Sequence, residues 1–92
     1  MIGEVKVEYI DGSIYHGHLN LNFMKNGEGL LLKRSKGVEL YYGNFKNDQY
    51  HGIGKIFKDN NEFILGYFEN GELLLKFDID NLETNIYESI RN

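Results

Sequence analysis

The chain has 92 residues, a formal net charge of −4, no cysteine and no proline, which fits one small domain (residues 1–92) near the size where core burial is only just sufficient. Without cysteine there is neither a disulfide framework nor a thiolate metal site, and the composition suits a reducing compartment. No run approaches the roughly 20 apolar residues that span a bilayer, and MIGEVKVEYIDG lacks the basic-then-apolar layout of a signal peptide, so a cytoplasmic location is expected.

Eleven glycines with seven Tyr and six Phe describe a β-rich chain with many tight turns, and the lack of proline leaves strand pairing uninterrupted. The first predicted strand is Glu4 to Ile10, where Val5, Val7 and Tyr9 alternate with Glu4, Lys6 and Glu8. Asp11-Gly12 turns the chain into a second strand, Ser13 to Leu19. A longer loop, Asn20 to Asn26, follows, and its Leu21, Phe23 and Met24 are expected to pack within it. The third strand is Glu28 to Lys33, the fourth Val38 to Lys46 and the fifth His51 to Lys58. Asp59-Asn60-Asn61 leads to a sixth strand, Glu62 to Glu69, and Asn70-Gly71 to a seventh, Glu72 to Phe77.

Short turns between sequential strands predict an antiparallel meander of about seven strands over residues 3–78. From Asp80 the period changes: Leu82, Ile86 and Ile90 are four apart, and Asp80 with Glu83 forms a capping-box pattern. A C-terminal helix over 80–91 is expected, with its apolar stripe covering the last hairpin.

The chain also repeats itself. Gly17, Gly43 and Gly66 each follow a large side chain by two positions, and each is followed by a second glycine marker: NGEG (Asn26 to Gly29), HGIG (His51 to Gly54) and NGEL (Asn70 to Leu73). A period in the mid-twenties implies stacked hairpins that cannot bury an apolar face alone. YYGNFKNDQYHGIG, from Tyr41 to Gly54, resembles the MORN repeat (membrane occupation and recognition nexus), with Tyr41, Gly43, Phe45, His51, Gly52 and Gly54 at the matching positions. The first copy matches at Tyr15, Gly17, Gly27 and Gly29, with Leu19 for the aromatic. The third matches at Gly66, Phe68 and Gly71, with Ile64 for the tyrosine. The resemblance covers residues 12–77 and implies an open sheet of stacked hairpins with a groove that holds a partner segment.

Charge divides unevenly: residues 1–46 sum to +1 and residues 47–92 to −5. An acidic half repels phosphate backbones and anionic lipid, which argues against nucleic acid and membrane as partners. His16 and His18 share one strand face, but no third ligand is placed by spacing, so no metal is expected. His51 reads as a turn-region side chain bonded to a neighbouring backbone group. Ser13, Ser35 and Ser89 lie in no nucleophile-elbow context, and the glycine pairs open no helix. Neither an enzyme nor a cofactor is expected.

What remains is a surface. Tyr15, Tyr41, Phe45 and Phe68 share one face and are the expected partner-binding anchors, because aromatic rings bury large area with few rotatable bonds. The opposite face, with His16, Tyr42 and Tyr67, is the alternative. The expected function is a non-enzymatic protein-interaction module that binds a partner protein, or a second copy along the edge strand Glu4 to Ile10. A small acidic inhibitor or immunity-type protein is the second expectation, and peripheral lipid binding the third.

Overall fold

A computed structural model of the chain describes residues 2–78. The expected C-terminal helix, 80–91, lies outside the described residues. Seven strands follow one another: β1 (Ile2–Glu8), β2 (Ile14–Leu19), β3 (Lys25–Lys33), β4 (Glu39–Lys46), β5 (Gln49–Lys58), β6 (Phe63–Glu69) and β7 (Glu72–Lys76). Each pairs antiparallel with its sequence neighbours alone, so the meander is one open sheet with β1 and β7 at its edges.

The turns explain where strands stop. Asn47 and Asp48, with φ of 50° and 69°, and Asn70 and Gly71, with φ of 53° and 84°, are left-handed pairs. Such turns match the right-handed twist of the strands they join, and Asn, Asp and Gly tolerate them best. β1 ends at Glu8, two residues earlier than expected, because Tyr9 belongs to the turn: its N–H donates to the Ser13 carbonyl at 2.8 Å and its own carbonyl accepts from Gly12 at 3.0 Å.

The loop after β2 is tighter than expected, and β3 starts at Lys25 rather than Glu28. Asn20 closes it: its N–H donates to the Met24 carbonyl at 2.8 Å, and its Oδ1 accepts from Asn22 N at 2.9 Å and Met24 N at 3.1 Å. Phe23 sits at φ 62°, and the short turn aims Leu21 and Phe23 outward, 76% and 73% exposed, instead of packing them. Backbone bonding, not burial, holds this loop.

The core occupies one face of the sheet. Tyr15, Leu19, Leu31, Tyr41, Phe45, Ile56 and Phe68 are buried there, with Val5, Val7, Tyr9, Tyr50 and Ile64 packed against them. One device recurs. The Tyr15 ring lies across Gly29 of the neighbouring strand, and the Tyr41 ring lies likewise across Gly54; a Cβ on either glycine would come within 2.5 Å of the ring. Each tyrosine hydroxyl then donates to the carbonyl three residues on, His18 at 2.8 Å and Asn44 at 2.7 Å.

A lid sits over each ring. Tyr50 stacks on Tyr41 with centroids 3.7 Å apart and an interplanar angle of 3°. Lys25 holds the equivalent position, four residues before its glycine, with Nζ 5.8 Å from the Tyr15 centroid. The third copy has Ile64 for the tyrosine, and there the Leu73 side chain from β7 covers Gly66 instead. Copies are joined by edge-on ring contacts, Tyr15–Phe45 at 5.3 Å and Tyr41–Phe68 at 5.6 Å. A backbone bond repeats at the same junction: Asp48 N–H donates to the Lys25 carbonyl at 2.9 Å, and Gly71 N–H to the Tyr50 carbonyl at 3.0 Å.

Two predictions follow from the ring-over-glycine packing. Gly54→Ala forces the Tyr41 ring aside and costs about 1–3 kcal/mol by overpacking, whereas Gly52→Ala meets only an ordinary contact with Asn44 at 3.9 Å and costs about 1 kcal/mol, through its left-handed φ of 76°. Urea unfolding of both variants checks that ranking. Burial also pushes the Tyr15 and Tyr41 phenols up to about 12 from an ordinary value near 10. Their contribution is full below pH 10. Between about 10 and 12 the unfolded chain releases protons that the folded chain retains, so stability falls as pH rises, by about 1–3 kcal/mol per ring. Absorbance of the native protein near the phenolate band is expected to fall short of seven tyrosines at pH 11 and to reach the full value in urea.

Candidate interaction surface

The four expected anchors do share one face, and the structure brings them together. Tyr15, Tyr41, Phe45 and Phe68 are 0%, 0%, 3% and 2% exposed, a packed row with no ring surface left to offer a partner. Their hydroxyl and edge contacts point inward. They shape the sheet.

The opposite face differs. Strand register places its side chains in three rows. Leu32, Leu40, Phe57 and Phe63 are cross-strand neighbours in the first, and Leu30, Tyr42, Lys55 and Leu65 in the second. The third row runs Glu28–Asn44 on β3 and β4, then Ile53, Tyr67 and Leu75 on β5, β6 and β7. Leu30, Tyr42, Ile53, Phe57, Phe63 and Leu75 are all exposed, and Phe57 and Phe63 lie with ring centroids 4.9 Å apart. At a strand spacing of about 4.8 Å, five strands make this apolar face about 19 Å wide.

Tyr42 and Tyr67, named for this face from the sequence, lie on it; Leu30, Ile53, Phe57, Phe63 and Leu75 were missed. Their signal was present. GLLLK, KIF, FIL and ELLLK carry adjacent apolar residues rather than strict alternation, the mark of a strand apolar on both faces.

One end of the face is polar. A cavity of about 340 Å³ is lined by Glu4, His16, His18, Glu28, Leu30 and Tyr42. His16 Nε2 lies 3.4 Å from Glu4 Oε1, and the Tyr42 hydroxyl donates to Glu28 Oε1, which holds the Tyr42 phenol above its ordinary range. His18 Nδ1 is shielded and has no hydrogen-bond partner. The same holds for His51 Nδ1, so the expected bond from His51 to a neighbouring backbone group is not made by that atom. Among the described residues no group of three or more His, Asp or Glu is arranged to hold a metal ion.

The core face carries two adjoining hollows, of about 180 and 240 Å³, that share Lys25, Leu31 and Lys33. Both lysines are already engaged. Lys25 Nζ is 3.3 Å from Asp48 Oδ1, and Lys33 Nζ is 3.9 Å from Glu39 Oε2, which also accepts the Tyr50 hydroxyl at 2.8 Å. Burial and the Glu39 carboxylate together push the Tyr50 phenol far above its ordinary value. Of the serines, Ser13 N–H donates to Asp11 Oδ1 at 2.9 Å, which lowers the Asp11 carboxyl below its usual range, and no serine among the described residues bonds a histidine.

No helix among the described residues is long and apolar enough to cross a membrane. Compared with models of known protein families and with curated proteins, the chain finds no match.

The division between the faces has a direct check. Tyr41→Ala removes a fully buried ring and is expected to cost about 3–5 kcal/mol. Ile53→Asp, at a site 55% exposed, is expected to change stability by no more than about 0.5 kcal/mol. Thermal and urea unfolding of the two variants measure the contrast.

Proposed function

We propose that this chain is a non-enzymatic protein-interaction module, a MORN-like meander that binds a partner protein through the outer apolar face. The observation that carries the reading is the group of exposed Leu30, Tyr42, Ile53, Phe57, Phe63 and Leu75, spread over three rows of five adjoining strands. Contiguous exposed apolar surface of this extent marks contact sites in proteins, and Tyr, Phe and Ile are good anchors where they can be desolvated together. In this reading Tyr15, Tyr41, Phe45 and Phe68 act through the sheet, by setting the curvature on which the outer side chains are displayed.

Support for the MORN-like assignment is the repeated tyrosine over a glycine pair, with its hydroxyl returned to the chain, at Tyr15 and at Tyr41. The absence of cysteine fits work in a reducing cytoplasm. No catalytic step is assigned to any residue.

The reading is tested by affinity capture from a cell extract with the wild-type chain, an Ile53→Asp/Phe57→Ser variant and a Lys36→Ala control. Proteins retained by wild type and control and lost from the double variant, which is expected to lose some stability with the Phe57–Phe63 pair yet to remain folded at the capture temperature, are the expected outcome. An unchanged set of captured proteins removes the outer face as the binding surface.

A further inference from the structure

The outer face does not end evenly. At the end carrying the Asn47-Asp48 and Asn70-Gly71 turns it is bordered by acids. Glu69 and Glu72 are direct cross-strand neighbours across the two-residue Asn70-Gly71 turn, an arrangement in which like charges repel and weaken the pairing. Both are exposed, and neither makes an ion pair among the described residues. Glu28 extends the border on β3, beside the cavity that also contains Glu4. Lys55, beside Tyr42, and Lys46, at the end of β4, share this face, and neither is paired with these acids.

We infer that the partner segment is basic and amphipathic: its apolar side chains lie on Tyr42 and Ile53 while lysine or arginine side chains reach the Glu69–Glu72 pair and Glu28. A cation placed between Glu69 and Glu72 relieves a repulsion that the free chain bears, so binding gains where folding loses. Negative border and apolar centre also select against segments that are apolar but acidic, because a like charge left near a desolvated acid is penalised. The inference rests on the outer face being the binding surface and adds the chemistry of what it takes.

The probe is a synthetic amphipathic peptide of alternating leucine and lysine faces, compared with the same peptide carrying glutamine for every lysine. Binding to the full chain is read by fluorescence anisotropy at low salt. The lysine peptide is expected to bind about tenfold tighter or better. That preference is expected to shrink to about threefold or less in a Glu28→Gln/Glu69→Gln/Glu72→Gln variant, and likewise in about 0.5 M salt. Ile53→Asp is expected to weaken both peptides together.

If Ile53→Asp weakens both peptides but the triple variant keeps the full lysine preference, the surface stands and the acidic border is not its specificity element. If neither peptide responds to Ile53→Asp, the outer face itself is overturned. The repulsion is read separately in a Glu69→Gln/Glu72→Gln variant, which leaves the Tyr42 hydroxyl on Glu28 in place: its unfolding midpoint is expected to rise slightly, and a lowered midpoint would contradict the repulsion on which the inference stands.

Discussion

A tyrosine ring laid across a glycine of the next strand is the contact on which this structure depends. Among the described residues the sheet has no second layer to bury its rings, so the rings are buried within the sheet's own surface. Glycine makes that possible by removing the side chain that would stand where the ring lies. The hydroxyl, which would otherwise be buried without a partner, is returned to a backbone carbonyl at 2.8 Å for Tyr15 and 2.7 Å for Tyr41. Each ring is then closed over by a lid, Lys25 or Tyr50, whose backbone carbonyl accepts the bond from the following copy's turn. Ring, lid and turn are thus one mechanical unit, used twice.

The same economy leaves the outer face exposed. Because one face absorbs the tyrosines, the other is left to face outward with its leucines, isoleucine and phenylalanines. The sheet keeps its register there by cross-strand pairs such as Leu40–Phe57 and Phe57–Phe63. Its most polar parts lie at the turn end, where Glu69 and Glu72 oppose each other. An exposed apolar face of this extent is the feature on which the proposed interaction role draws. The proposed role as an interaction module follows from that face, and the buried rings serve it by holding the strands in place.

Much of this was legible in the chain. Period-two alternation and the turn pairs Asp11-Gly12 and Asn70-Gly71 locate seven strands with boundaries that differ from the observed ones by a few residues at most. The spacing of Gly17, Gly43 and Gly66 exposes the repeat. The errors have local causes. Leu21 and Phe23 were expected to pack within their loop because they are apolar, yet the side chain of Asn20 satisfies the turn's N–H groups and leaves both residues outside. Lys25 looked like loop, yet its N–H and carbonyl both bond Asp48, 23 residues on, and draw it into β3.

The sequence by itself determined the meander, its strand order and which residues share a face, because turn chemistry and a period of two are local properties. Only the tertiary structure decided which of the two faces is buried. Both carry aromatic and aliphatic side chains, so composition cannot separate them. The difference lies in fit across strands: Tyr15 and Tyr41 meet glycines on their neighbours and sink into the sheet, while Tyr42, between Leu30 and Lys55, meets none and stays at the surface.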